Sequence, residues 1–335
     1  MKVAIIGTTS WGTTLGVILS RRGIDVALWA RTVEEAERLA RDGENKARLP
    51  GIPFPRGLSP TAAIEEALQG ASLVILAVPS QQMRQNVRIM KGHIAKGVPI
   101  LSAAKGLEVD TTKRMTQVIS EEIDPAYRQN ICVLSGPNLS MEVVHGLPAT
   151  TVIAARDTAV AKRAQGIMAS ATFRVYTNDD VIGVELGGAL KNIVALAAGL
   201  SDGLGYGDNA KAALVSRGLA EISRLGVAME ANPLTFAGLA GLGDLVATCS
   251  SPLSRNRFVG QELAKGRPLA EITASMINVA EGISTTVAAR RMAREYGVDM
   301  PITEQVYRVL FEWLDVTEAM ATLMGRELKS EMLGE

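Results

Sequence analysis

The chain has 335 residues, 47% hydrophobic and 21% charged, with 35 Lys and Arg against 35 Asp and Glu. That length accommodates one or two domains with a sizeable core, and the composition excludes a disordered chain. Balanced charge argues against a basic surface for nucleic acid or an anionic membrane, so any anion recognition must be local.

Met1-Lys2 leads straight into the apolar run Val3-Ala4-Ile5-Ile6, which reads as a strand and not a signal peptide. Gly7 ends it. Thr8-Thr9-Ser10-Trp11-Gly12 opens a helical stretch, and Val26-Ala27-Leu28-Trp29 forms a second strand. Strand, glycine turn, helix and strand within about thirty residues make a dinucleotide-binding unit, whose tight turn brings backbone N–H groups and a helix N-terminus onto a pyrophosphate. The alternative is an ordinary βαβ turn with no ligand. Gly7 and Gly12 fill the first and third glycine places, and Thr9 stands in the second. Thr9 must therefore add a hydroxyl contact or push the cofactor outward. The second strand ends Trp29-Ala30-Arg31-Thr32. NAD sites usually carry an acid there for the ribose 2′-hydroxyl. Asp25 comes too early, and Glu34 and Glu35 come later, on the next helix. Arg31 suits a 2′-phosphate, so NADP(H) is favoured and NAD(H) stays open.

Residues 73–78 form the most continuous apolar run, as in a parallel strand buried on both faces. It stops at Pro79-Ser80-Gln81. Residues 99–103 give another strand, ending in Ala104-Lys105-Gly106-Leu107-Glu108, and 131–134 a further one, ending in Ser135-Gly136-Pro137-Asn138. Lys105 then sits at a strand's C-terminal edge, where ligands bind in open α/β sheets. Residues 151–155 and 173–176 look like the last strands.

Beyond about residue 179 the strand signal fades. Helices are expected over 184–199, 210–225, 233–240, 259–265, 283–296 and 303–314. The first is Ala/Leu-rich and apolar nearly all round, so it is buried. Lys191 is the only charged residue between Glu185 and Asp202. Its ammonium must find a polar cavity, lose its proton, or snorkel to water. Gly187 and Gly188 leave the helix face beside it bare. Turn-rich stretches at 238–245 and 251–257 interrupt the helices. Ser254-Arg255-Asn256-Arg257 suits a phosphate, or is a plain helix cap. No uncharged apolar run reaches the ~20 residues of a membrane span. Cys132 and Cys249 are far apart, and His93 and His145 lack metal-ligand spacing. No metal, membrane insertion or nucleic acid is expected, and His93 and His145 are set aside as catalysts.

The expected fold is α/β: a Rossmann-type dinucleotide-binding domain over 1–178, followed by an all-helical catalytic domain over 179–335, with the charged tail 325–335 lacking order. The chain resembles the bacterial NAD(P)-dependent glycerol-3-phosphate dehydrogenases over nearly its whole length. The motifs that carry the resemblance include Trp11-Gly12-Thr13 after Gly7, Ala104-Lys105-Gly106-Leu107-Glu108 and Ser135-Gly136-Pro137. They continue through Gly187-Gly188-Ala189-Leu190-Lys191-Asn192, Gly241-Leu242-Gly243-Asp244, Ser254-Arg255-Asn256-Arg257 and Glu281-Gly282.

The resemblance implies reversible reduction of dihydroxyacetone phosphate to sn-glycerol 3-phosphate for phospholipid synthesis, by a cytoplasmic homodimer. Lys191 falls on the family's proton donor and acceptor. Lys105, Gly136, Asn138, Asn192, Asp244, Thr248, Ser254, Arg255 and Asn256 fall in the substrate site. Gly7, Thr9, Ser10, Trp11, Gly12, Arg31, Lys105, Ser140, Arg255, Val279 and Glu281 fall in the cofactor site. Thr9 departs from the usual glycine, and Asn138 from the usual Ser or Thr. For its role Lys191 needs a pKa near ~7–8, with burial and Lys105 lowering it and Asp244 opposing. A β-hydroxyacid or 6-phosphogluconate dehydrogenase also joins a nucleotide domain to a helical one and can share such a lysine. Ser254–Arg257 and Gly241–Asp244 favour the glycerol phosphate reading. A non-catalytic NADP(H) sensor would need the fold but not Lys191, Lys105 and Asp244.

Overall fold

The structure, a computed structural model, describes residues 1–327. Most of the tail expected to lack order, 328–335, lies outside the described residues. Strands β1 (Lys2–Ile6), β2 (Asp25–Trp29), β3 (Leu58–Thr61), β4 (Ala71–Leu76), β5 (Ile100–Ser102), β6 (Ile131–Ser135), β7 (Ala149–Ala154) and β8 (Phe173–Asn178) form one 8-stranded sheet. Its order is β3-β2-β1-β4-β5-β6-β7-β8. Neighbours run parallel, except that β7 lies antiparallel to β6. The chain leaves β1 in one direction, reaches β3, and returns across the sheet to β4. A crevice therefore opens beyond the C-terminal ends of β1 and β4.

Helices α1 (Ser10–Ser20), α2 (Val33–Asp42), α3 (Ile64–Leu68), α4 (Met83–Met90), α5 (Met115–Glu122), α6 (Ser140–Val144) and α7 (Thr158–Met168) cover the sheet. Apolar clusters fill both faces, around Ile5, Leu28 and Ile75 on one and Ile6, Leu76 and Val87 on the other. That double burial is why these strands read as unbroken apolar runs. Strand β3 was not anticipated. It is a four-residue edge strand containing Pro60, and proline usually argues against a strand.

The rest of the described chain is helical: α8 (Val181–Gly203), α9 (Gly207–Ala228), α10 (Pro233–Phe236), α11 (Asp244–Ser250), α12 (Arg255–Ala264), α13 (Leu269–Ala274), α14 (Glu281–Glu295), α15 (Pro301–Phe311) and α16 (Val316–Met324). Helices α13 and α16 lie outside the stretches expected to be helical. Helix α8 is the axis, packed by α9, α10, α11, α12, α14 and α15. It is long and apolar enough to cross a membrane, with mean hydropathy 1.6, but 89% of that window is buried inside the protein. The stretch Pro233–Ser250 passes the same test with 44% buried and is broken into short helical pieces. Gly199 and Gly260 let α8 and α12 touch backbone to backbone: a Cβ on Gly260 would sit 2.8 Å from Leu200 N.

The expected turn at 238–245 is instead a π-helix, Leu239–Gly243, running directly into α11. Its glycines serve contact. A Cβ on Gly241 would collide with the Phe236 backbone, and one on Gly187 of α8 would lie 2.6 Å from Ala240 O. The start of α5 is tied to α8 through a buried carboxylate. Glu185 accepts from the Arg114 guanidinium, from Thr116 N at 2.8 Å and from Thr116 Oγ1 at 2.6 Å.

Candidate active site

Lys191 does not snorkel. It is 6% exposed, and its ammonium donates to Asp244 Oδ1 and Thr248 Oγ1. Thr248 in turn donates to Asp244 O at 2.7 Å, so its oxygen presents a lone pair to Lys191. Asp244, 1% exposed, is the first residue of α11, set there by the π-helix. Its Oδ2 accepts from Lys105 Nζ at 2.6 Å, and Lys105 also donates to Gly136 O at 2.8 Å. Lys105, Gly136, Lys191, Asp244 and Thr248, from four separate stretches, thus meet at the C-terminal edge of the sheet.

Two lysines on one carboxylate make an unusual electrostatic site. Burial pushes the Lys191 ammonium down to about 8; Asp244 opposes the shift and Lys105 adds to it. Such a group exchanges its proton near neutral pH, as an acid–base catalyst must. Gly188 makes the close approach possible. A Cβ there would collide with Ser135 Oγ, at the end of β6, and would touch Lys105 Cγ at 3.7 Å. The Ser135 hydroxyl is buried and has no hydrogen-bond partner among the described residues.

Asn138 hangs from the same loop. Its Nδ2 donates to Pro137 O and Thr150 O, both at 3.0 Å, which fixes the amide orientation because carbonyls only accept. Its Oδ1 is buried without a partner among the described residues. Asn192 and Asn256 face each other: Asn256 Nδ2 donates to Asn192 Oδ1 at 2.8 Å, and Asn256 Oδ1 accepts from Gly282 N at 3.0 Å. This pair pins α8, α12 and α14 together. Ser254 caps α12, accepting from Arg257 N at 3.3 Å. Arg255, the first residue of that helix, is exposed and donates to Val279 O at 2.9 Å.

Across the crevice, Gly7 adopts φ +110°, and a Cβ there would meet Ala77 O at 2.8 Å. The sharp turn drops the N-terminus of α1 at the sheet edge, where its free N–H groups suit a diphosphate. Thr9 neither points a hydroxyl outward nor crowds the turn. Its Oγ1 accepts from Gly12 N at 3.0 Å and donates to Ala77 O at 2.7 Å, so it caps α1 and ties it to β4. The Ser10 hydroxyl donates to Arg48 O, with Asn278 Oδ1 3.2 Å away. Trp11 stacks obliquely on Phe173 with ring centroids 6.3 Å apart, and Ser140 begins α6, where its carbonyl lies 3.5 Å from Thr14 Oγ1. Glu281 accepts from the Ser80 hydroxyl and from Ser80 N at 3.1 Å, which joins the end of β4 to α14. Burial raises the Glu281 pKa, and the Ser80 bonds oppose that. Arg31 stands apart from these groups, exposed, donating to Gln85 Oε1 at 3.1 Å.

The donor set fits a dinucleotide beside a small anion: a helix N-terminus, Ser10, Arg255 and Lys105 along one edge. Sequence reasoning overlooked Ser80, Gln81, Arg48 and Asn278. Ser80 and Gln81 were findable, because they directly follow a strand at the ligand-binding edge. Gln81 holds the Lys105 loop, donating to Leu107 O at 2.7 Å and accepting from Val109 N at 3.0 Å. His93 lies in a short helical turn 3.5 Å from Glu65, and His145 Nδ1 lies 2.6 Å from Met141 O.

Residues 2–161 match the NAD-dependent glycerol-3-phosphate dehydrogenase N-terminus, and residues 180–321 match the C-terminus of the same family. A glycerol-3-phosphate dehydrogenase [NAD(P)+] of Dehalococcoides mccartyi is 55% identical over 334 residues, covering 99% of this chain and 93% of its own. One from Moorella thermoacetica is 49% identical over 332 residues, covering 99% and 98%. A crystal structure of glycerol-3-phosphate dehydrogenase from Coxiella burnetii superposes with a TM-score of 0.92 at 37% identity, covering 97% of this chain and 99% of that one. The chain therefore belongs to the NAD-dependent glycerol-3-phosphate dehydrogenase family and is an NAD(P)-dependent oxidoreductase, as its motifs imply.

Proposed function

We propose that this protein interconverts dihydroxyacetone phosphate and sn-glycerol 3-phosphate, working chiefly toward the alcohol and feeding phospholipid synthesis. The observation that carries this reading is the buried Lys191, held by Asp244 and Thr248 with its pKa lowered to about 8. When bound, reduced nicotinamide supplies a hydride to C2 of the ketone. Charge then builds on the C2 oxygen and must be met there. An ammonium has three N–H donors. Two of those on Lys191 go to Asp244 and Thr248, leaving the third for the C2 oxygen, to which it passes its proton. Asp244 orients the amine, and Lys105 keeps the local field positive. In the reverse direction neutral Lys191 takes the proton from the alcohol.

The phosphate is assigned to the start of α12, where Arg255 offers a forked guanidinium. Asn256 and Asn192, tied to each other, act there by holding the helix starts in place. Asn138 Oδ1 supplies an acceptor for a substrate hydroxyl in place of the family's usual hydroxyl side chain. Gly7, Gly12, Ser10, Trp11, Ser140, Val279 and Glu281 border the dinucleotide, with Thr9 acting through α1. Arg31 favours NADP(H), and NAD(H) also serves. The protein acts as a cytoplasmic homodimer.

The test follows oxidation of NADPH, and separately of NADH, by purified protein with dihydroxyacetone phosphate, using unphosphorylated dihydroxyacetone as control. Rapid turnover only with the phosphate ester is the expected result. Tight cofactor binding without turnover on either cofactor would overturn the reading.

A further inference from the structure

Helix α2 begins with Thr32, whose hydroxyl accepts from Glu35 N at 3.2 Å. In a Thr-x-x-Glu start of this kind the glutamate commonly folds back onto the cap residue's own N–H. Here Glu35 reaches outward, and its Oε1 accepts from Thr8 Oγ1 at 2.6 Å. Thr8 follows Gly7 in the turn between β1 and α1, is 8% exposed, and has its carbonyl fixed by Asn45 Nδ2 at 2.9 Å. Asn45 is itself buried and also donates to Thr13 Oγ1 at 2.9 Å. The carboxylate is therefore anchored on a rigid turn at the edge of the crevice.

In a parallel sheet of this order, the pyrophosphate lies on the first helix and the adenosine ribose lies toward the end of the second strand. An acid there accepts from the ribose hydroxyls, and a cation there takes a 2′-phosphate. Strand β2 ends without an acid, and Arg31, just beyond it, leans across to Gln85. Glu34 is exposed on the outside of the same turn of α2. Glu35 is the acid the fold brings to the glycine turn.

We infer that Glu35, anchored by Thr8, reads the adenosine ribose and sets the cofactor preference against Arg31. Its carboxylate accepts from the 2′-hydroxyl of NAD(H) and repels the 2′-phosphate of NADP(H), so the two residues pull the preference in opposite directions. The inference rests on the dehydrogenase reading above.

The experiment measures dissociation constants of NADPH and NADH by nicotinamide fluorescence on the full-length protein without substrate, and of 2′,5′-ADP and 5′-AMP by calorimetry. Glu35→Gln should improve the NADPH to NADH affinity ratio about tenfold, the size of one like-charge contact removed. The 2′,5′-ADP to 5′-AMP ratio should move in parallel. Thr8→Val, which frees the carboxylate, should move both ratios the same way by less. Glu34→Gln removes the same formal charge one residue away and should leave them unchanged. Unchanged ratios in Glu35→Gln, or an equal change in Glu34→Gln, overturn the inference while leaving the dehydrogenase reading intact. Failure of the unaltered protein to bind either dinucleotide overturns both.

Discussion

The Lys191 ammonium donates to one oxygen of the Asp244 carboxylate, and the other oxygen accepts from Lys105 at 2.6 Å. One buried anion thus orients two cations, one from the loop after β5 and one from α8. Lys191→Ala should lower kcat by about 10²–10⁴, the usual contribution of a placed acid–base group, with cofactor affinity retained. Single-turnover rates and cofactor titration check this. An unchanged kcat would remove Lys191 from the chemistry.

The pH dependence follows from the same contact. Lys191 must be neutral to accept a proton from the alcohol and charged to give one to the ketonic oxygen. Rates of oxidation should therefore climb as pH rises through about 8, while rates of reduction fall. Lys105→Met removes a charge that lowers the Lys191 pKa, so both limbs should move to higher pH. Asp244→Asn removes a charge that raises it, so both should move lower. Profiles measured in both directions would expose a wrong assignment if the two variants shifted them in the same direction.

Arg255→Ala should raise KM for dihydroxyacetone phosphate far more than it weakens cofactor binding. The comparison is with unphosphorylated dihydroxyacetone. Equal losses on the two ketones would take Arg255 away from the phosphate.

Gly188 and Ser135 offer a packing test. Gly188→Ala drives a methyl group into Ser135 Oγ and should cost about 1–3 kcal/mol, the usual range for overpacking. Because that hydroxyl has no partner among the described residues, Ser135→Ala alone should be nearly neutral, and the double variant should recover much of the loss. Urea unfolding of the three variants measures it. Additive effects would mean the two residues do not compete for space.

The Arg114–Glu185 pair is buried on both sides. Glu185→Ala strands a guanidinium and should destabilise by about 3–5 kcal/mol, whereas replacing both partners with apolar residues of similar volume should cost much less. Denaturant midpoints of Glu185→Ala and of Arg114→Met with Glu185→Leu decide between these outcomes.

Much of the fold was legible because its signals are local. Continuous apolar runs marked β1, β4 and β6, and the lone lysine in an apolar helix marked α8 as central. Elements whose signals contradict their packing were missed. Pro60 hid an edge strand, and the glycines at 238–243 read as a turn when they allow a π-helix to press on Phe236 and Gly187.

The sequence by itself determined which groups the site could contain: Lys105, Lys191, Arg255 and a glycine turn were recognisable from their own neighbours, and Asp244 from the family motif it sits in. Only the tertiary structure decided their partners. It turned Thr9 inward to Gly12 and Ala77, joined Ser80 to Glu281, and brought Glu35 back to Thr8 across 27 residues. Local spacing carries the periodicity of strands and helices. The distance between a side chain and a partner on another element depends on how those elements pack, and that is decided by the whole core at once.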